Sequence, residues 1–108
     1  MGKFEIKKDK AGKFRFNLKA ANGLVILTSE AYNTKASCDN GIASVKKNCG
    51  SEKCYDINVA KNGKPYFNLK STNGKVIGTS QMYASRSSMN KGIASVKNNA
   101  PKAPVVEI

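Results

Sequence analysis

Histidine is absent from this 108-residue sequence. That removes the commonest general base, the usual metal ligand and the proton shuttle that works near neutral pH. The three cysteines, Cys38, Cys49 and Cys54, form no Cys-x-x-Cys pair, so a four-ligand zinc site would need carboxylates to complete it. No metal and no cofactor is expected. The acids are Glu5, Asp9, Glu30, Asp39, Glu52, Asp56 and Glu107. Glu5 and Asp56 stand at outward strand positions beside lysines, where ion pairing is the expected role rather than a hydrolytic carboxylate dyad. Asn22-Gly23 and Asn73-Gly74 sit in hairpins and do not make the longer glycine-rich stretch of a phosphate-cradling loop. No catalytic residue is assigned, and the chain is read as a non-enzyme.

Two hydroxyl-rich segments, Thr28-Ser29-Glu30-Ala31-Tyr32 and Thr79-Ser80-Gln81-Met82-Tyr83, precede predicted helices. Such a corner can hold a small anion at a helix N-terminus. The preferred reading is structural, with Ser29 and Ser80 satisfying loop backbone groups while Tyr32 and Tyr83 pack beneath the corner.

The most testable pattern is basic. The chain carries 19 Lys and Arg against 7 acids, a formal charge of +12. That favours solubility and attraction to polyanions and says nothing about fold. Phe14, Phe16 and Leu18 alternate with Lys13, Arg15, Asn17 and Lys19, so one sheet face takes the apolar set and the other the polar set. Downstream the polar set is Lys64, Tyr66, Asn68 and Lys70, and Lys3 and Lys7 add to it. The candidate nucleic-acid-binding residues are therefore Lys7, Lys13, Arg15, Lys19, Lys64, Tyr66 and Lys70. Their lysines would follow a phosphate backbone while Tyr66 stacks on a base. The plainer reading is the solvated side of a sheet, and the paired aromatics of an RNA-recognition sheet are missing. The competing function is a protein-interaction module using a sheet edge or an exposed apolar patch.

An internal duplication positions these residues. An offset of 51 residues lays Phe16–Lys19 on Phe67–Lys70, Asn22-Gly23 on Asn73-Gly74, and Gly41–Lys46 on Gly92–Lys97. About half the aligned positions are identical, without a gap. Two copies of a unit near fifty residues, each small for independent folding, predict one compact domain over 1–108, with repeats 1–51 and 52–108. Within each copy, Phe4–Lys7, Phe14–Leu18 and Leu24–Ser29 read as strands, the third buried on both faces over part of its length. Asn22-Gly23 predicts a type I′ hairpin turn.

A helix follows, capped by Thr34 or Ser85, with stripes Cys38/Ile42/Val45 and Met89/Ile93/Val96. Gly50 and Pro101 mark the helix exits. Gly41 and Gly92 stand mid-helix at a cost of about 1 kcal/mol each relative to alanine, which points to a close approach of the backbone there, either to the sheet or to the twin helix. Pro65 replaces Phe14 and should sit at a strand start, edge or bulge. Gly78 replaces Leu27 and should weaken the second core. The tail Pro104–Ile108 reads as a terminal strand. Cys38 is core filling, matched by Met89, and Cys49 and Cys54 are read as free thiols.

No run reaches the eighteen apolar residues of a membrane span. The opening Met-Gly-Lys-Phe-Glu-Ile has no apolar leader region. A cytoplasmic monomer is expected, with nucleic acid or another polyanion as partner, or a protein, and no membrane.

Phe16-Asn17-Leu18-Lys19-Ala20-Ala21-Asn22-Gly23 with Gly41-Ile42-Ala43-Ser44-Val45-Lys46, and their second-copy counterparts, resemble the YegP-like family of small bacterial proteins of unknown function. The resemblance covers essentially the whole chain. It implies an α+β fold of two pseudo-symmetric β-β-β-α(-β) repeats that share one antiparallel sheet. Two helices would pack on one face, with C-terminal strands exchanged and Cys54–Ala60 and Val105–Ile108 as related elements. The family supplies no catalytic or ligand residues to carry over.

Overall fold

The computed structural model describes residues 2–108; Met1, the first residue of the opening hexapeptide, lies outside them. The first copy contributes strands β1 (Lys3–Lys8), β2 (Phe14–Lys19) and β3 (Val25–Ser29), then helix α1 (Lys35–Asn48). A short 3-10 turn at Glu52–Cys54 leads into β4 (Tyr55–Val59), β5 (Pro65–Lys70), β6 (Val76–Thr79) and helix α2 (Arg86–Asn99). A second 3-10 turn at Ala100–Lys102, containing Pro101, ends in β7 (Val105–Glu107). No helix among the described residues is long and apolar enough to cross a membrane.

All seven strands form one sheet in the order β4-β5-β6-β3-β2-β1-β7. The two copies meet where β3 pairs antiparallel with β6, Thr28 opposite Thr79. These residues are 51 apart, so a pseudo-twofold axis passes between them. The expected α+β sheet of two repeats is present. Five of its six pairings are antiparallel, and the sixth, at one edge, is parallel, β7 with β1, so the sheet is mixed rather than wholly antiparallel. The last strand of the second copy thus completes the first, as the exchange requires. Among the described residues nothing reciprocates at β4, which lies outermost on its side. Cys54–Ala60 and Val105–Ile108 therefore differ in place: β4 takes the position of β1, and β7 takes one beyond it.

Alternation aims Phe4, Ile6, Phe16, Leu18, Leu27, Phe67 and Leu69 at the helices, and all are buried. Each helix leans across the axis, α1 touching β2, β5 and β6, and α2 touching β5 and β3. One core therefore serves both copies. Phe14 and Tyr55 are only partly buried at its margin. The same ring series appears twice. Phe4 meets Phe16 edge-on at 5.7 Å and Phe16 stacks on Tyr32; Tyr55 meets Phe67 at 5.6 Å and Phe67 stacks on Tyr83. Such pairs contribute about 0.5–1.5 kcal/mol each beyond their burial.

Local expectations fare unevenly. Thr34 and Ser85 cap the helices, accepting from the Ser37 and Ser88 N–H groups at 3.1 Å. The Asn22-Gly23 turn is not type I′. Only Gly23 has positive φ, while Asn22 Oδ1 accepts from the Leu24 N–H at 3.0 Å. An Ala20 C=O to Gly23 N–H bond closes a four-residue turn with glycine left-handed, and Gly12, Gly63 and Gly74 repeat that turn. Leu24 is 61% exposed and outside β3. Burial of the adjacent Ile26 and Leu27 comes from a register shift opposite Leu18/Lys19, repeated at Ile77 and Gly78.

Gly78 does not leave a weak spot. A Cβ there would come within 2.8 Å of Leu27, because positions 27 and 78 adjoin across the axis and one leucine fills the space of two. Pro65 begins β5 opposite Val59. Its carbonyl still accepts from the Tyr83 N–H, whereas Phe14 and Tyr32 exchange both bonds.

Candidate nucleic-acid interface

Both helices lie on the phenylalanine side, so the other face of the sheet is open. Strand pairing sets its rows: Lys3 beside Lys19, Glu5 beside Asn17, and Lys7 beside Arg15 in the first copy. Asp56 lies beside Asn68 and Asn58 beside Tyr66 in the second. Lys13 and Lys64 continue the same parity just before β2 and β5 and are exposed. Thr28 and Thr79 hold the centre, and the Thr79 hydroxyl is 2.7 Å from Asn68 Oδ1.

The seven nominated residues share this face but differ in freedom. Lys19 lies 2.9 Å from Glu5, Arg15 3.7 Å from Asp9, and Lys70 3.5 Å from Asp56. Lys7, Lys13 and Lys64 have no acidic partner among the described residues. Glu5 is the least expected feature. It is buried on the open face and bridges Lys19 and Lys3, the latter at 3.1 Å. The Lys19 and Lys3 ammonium groups hold its carboxyl below the ordinary value of 4.5. Asp9 is held low chiefly by the Lys13 N–H, and Asp56 chiefly by the Asn58 amide and then by Lys70.

Two hollows flank the central threonines at positions related by the 51-residue offset. One, about 400 Å³, is lined by Lys7, Lys8, Asp9, Lys10, Arg15 and Thr28 among others. Its twin, about 560 Å³, is lined by Ala60, Lys61, Asn62, Tyr66, Thr79 and Met82 among others. The repeats have specialised one depression in opposite senses: Arg15 and Asp9 in the first become Tyr66 and Ala60 in the second. Three strand spacings separate β2 from β5, about 14 Å. Tyr66 was legible by alternation; Met82, 55% exposed at the rim, was not, because its loop has no period to read. Reading the second copy against the first for changes of chemistry would have exposed the twin.

The hydroxyl corners are structural. Ser29 Oγ accepts from the buried Phe16 N–H at 2.9 Å and donates to Glu30 O at 2.7 Å. Ser80 repeats both bonds with Phe67 and Gln81. Tyr32 and Tyr83 lie under the corners, and the glycines make room for them: a Cβ at Gly41 or Gly92 would collide with the Tyr32 or Tyr83 hydroxyl. Helix meets tyrosine there, not helix meets helix. All three cysteines are free and buried, and burial pushes the Cys38 thiol up to about 11. Among the described residues no cluster of three or more cysteine, aspartate or glutamate side chains is placed to hold a metal ion.

Fold and surface together define a class: a duplicated, single-sheet α+β protein with both helices on one side and a cationic, partly aromatic face on the other. The model of a domain of unknown function, DUF1508, matches residues 9–56 and again 60–107, and the chain belongs to that family. It is 58% identical over 107 residues to UPF0339 protein ACIAD0721 of Acinetobacter baylyi, covering 99% of this chain and 96% of that one. It is 52% identical over 104 residues to UPF0339 protein YegP of Escherichia coli K12, covering 96% and 94%. Among solved structures, the solution NMR structure of YegP, a protein of unknown function from E. coli, superposes with a TM-score of 0.94 at 51% identity, covering 98% of this chain and 91% of that one. UPF0339 protein SO3888 of Shewanella oneidensis gives 0.93 at 48% identity, covering 98% and 90%.

Proposed function

We propose that the chain is a non-enzymatic protein that binds single-stranded nucleic acid across the open sheet face, without sequence specificity. The observation carrying this reading is the pair of diverged hollows on one uncovered surface. A cationic depression suits a phosphate, and an aromatic depression about 14 Å away suits a stacked base. Lys7, Lys13 and Lys64 are the cations that reach a phosphate without first breaking an ion pair, so they supply the attraction. Arg15, Lys19 and Lys70 contribute less, because Asp9, Glu5 and Asp56 already offset them.

Net charge alone also attracts polyanions, so the test holds it constant. The triple variant Lys7→Glu, Lys13→Glu, Lys64→Glu is compared with Lys47→Glu, Lys53→Glu, Lys91→Glu, whose lysines are exposed on the helices and connector. Fluorescence anisotropy with a labelled single-stranded oligonucleotide should show binding abolished in the first and largely kept in the second. Equal losses would assign the binding to bulk charge and overturn the reading.

A further inference from the structure

The two copies differ most at their outer edges. In the first copy β7 lies along β1, with Phe4, Glu5 and Ile6 opposite Val105, Val106 and Glu107. The Phe4 N–H donates to Pro104 O, and the Ile108 N–H donates to Ile6 O. Beneath that strand Phe4, Ile6 and Ile42 are 0%, 3% and 3% exposed. In the second copy no strand lies beyond β4 among the described residues. Ile57, counterpart of Ile6, is 42% exposed, and Tyr55 and Ile93 are only partly buried. The space corresponds to a hollow of about 380 Å³ lined by Tyr55, Ile57, Ile93, Ala94 and Lys97 among others.

Hydrogen bonding follows the same comparison. Phe4 and Ile6 turn their backbone groups outward, so Tyr55 and Ile57 do the same on β4. The Tyr55 N–H is taken by Glu52 O, which leaves the Ile57 groups facing outward. Charge then selects the occupant. In the first copy Glu107 of β7 ion-pairs with Lys35 at the start of α1, where Asp39 also competes at 3.9 Å. The counterpart of Lys35 is Arg86 and that of Asp39 is Asn90. Arg86 is exposed and has no acidic partner among the described residues.

We propose that the outer edge of β4 accepts an extended segment of a partner protein as an eighth, parallel strand. The segment would have the chemistry of this chain's own tail: β-branched apolar residues followed by a carboxylate that reaches Arg86. Strand addition gives affinity through backbone bonds and specificity through alternate side chains. A second copy of the chain is a poor occupant, since each carries a charge of +12 and would have to strip its own β1 to lend its tail. The site is distinct from the open face and stands or falls separately from it.

The test is a titration of the isotope-labelled full chain with an acetylated hexapeptide of residues 103–108, followed by amide NMR. The expected result is shifts centred on Ile57 and Val59 with protection of the Ile57 amide. Arg86→Glu, or a glutamine in place of the peptide's glutamate, should weaken binding about 2–5-fold, the range of an exposed ion pair. Absence of shifts on β4 at millimolar peptide would overturn the proposal. So would shifts confined to β1, which would mean displacement of the tail. Concentration-dependent shifts at Ile57 without peptide would assign the edge to a second copy and refute it equally.

Discussion

Glu5 shows how a single side chain sets the working charge of a surface. Its carboxylate lies between Lys3 and Lys19 on the face that would meet a polyanion. Lowering its pKa in the folded state means the unfolded chain binds the proton more readily. The resulting stability is therefore present above the ordinary value of 4.5 and is lost as pH falls through the lower folded value. Asp9 and Asp56 act in the same sense. Glu5→Gln should flatten part of the acid limb of a urea-unfolding profile against pH. At neutral pH the same variant should bind a single-stranded oligonucleotide more tightly, because two lysines are released. Tighter binding together with lower stability would separate this account from one in which Glu5 is only a structural anchor.

Between elements the decisive contacts are those of the helices with the strand-to-helix corners. Gly92 lets α2 lie against Tyr83, whose buried hydroxyl has no hydrogen-bond partner among the described residues. Alanine there gains about 1 kcal/mol of helix propensity but overfills the contact, at a cost of about 1–3 kcal/mol. Gly92→Ala should therefore lower the thermal midpoint, and adding Tyr83→Phe should recover part of the loss, read from a double-mutant cycle by calorimetry. The sequence announced that something approached these glycines without saying what, since the tyrosine arrives from nine residues upstream across a loop. Strands, caps and the terminal strand were legible because alternation, Thr34 or Ser85, and an apolar tail are local signals. The register shifts beside Ile26 and Ile77, the left-handed glycine turns and the fit of Leu27 over Gly78 were not. They depend on pairing partners, or on a symmetry axis that no single copy contains. For the site, alternation placed the nominated side chains on one face, whereas ion pairing, which sorts them into free and offset cations, needed distances.

At the scale of the whole molecule, duplication supplies both a shared core and a means of divergence. Identity between the copies is kept in the strands and helices that build the shared core, in Phe16–Lys19 with Phe67–Lys70 and in the two Gly-Ile-Ala-Ser-Val-Lys runs. Difference accumulates at the hollows and at the outer edges. The cations are not confined to the open face; many stand on turns and helices, so total charge is a weak guide to where a polyanion would sit. The number of phosphates engaged is a stronger one. Three unpaired lysines on three phosphates of a single strand predict a slope of about −2 for the logarithm of affinity against the logarithm of salt, at about 0.7 per phosphate. That slope, measured for the unmodified chain with a short single-stranded oligonucleotide, is the decisive readout of polyanion binding at the open face. A value near −2 is what the open face predicts, and one indistinguishable from zero would contradict it.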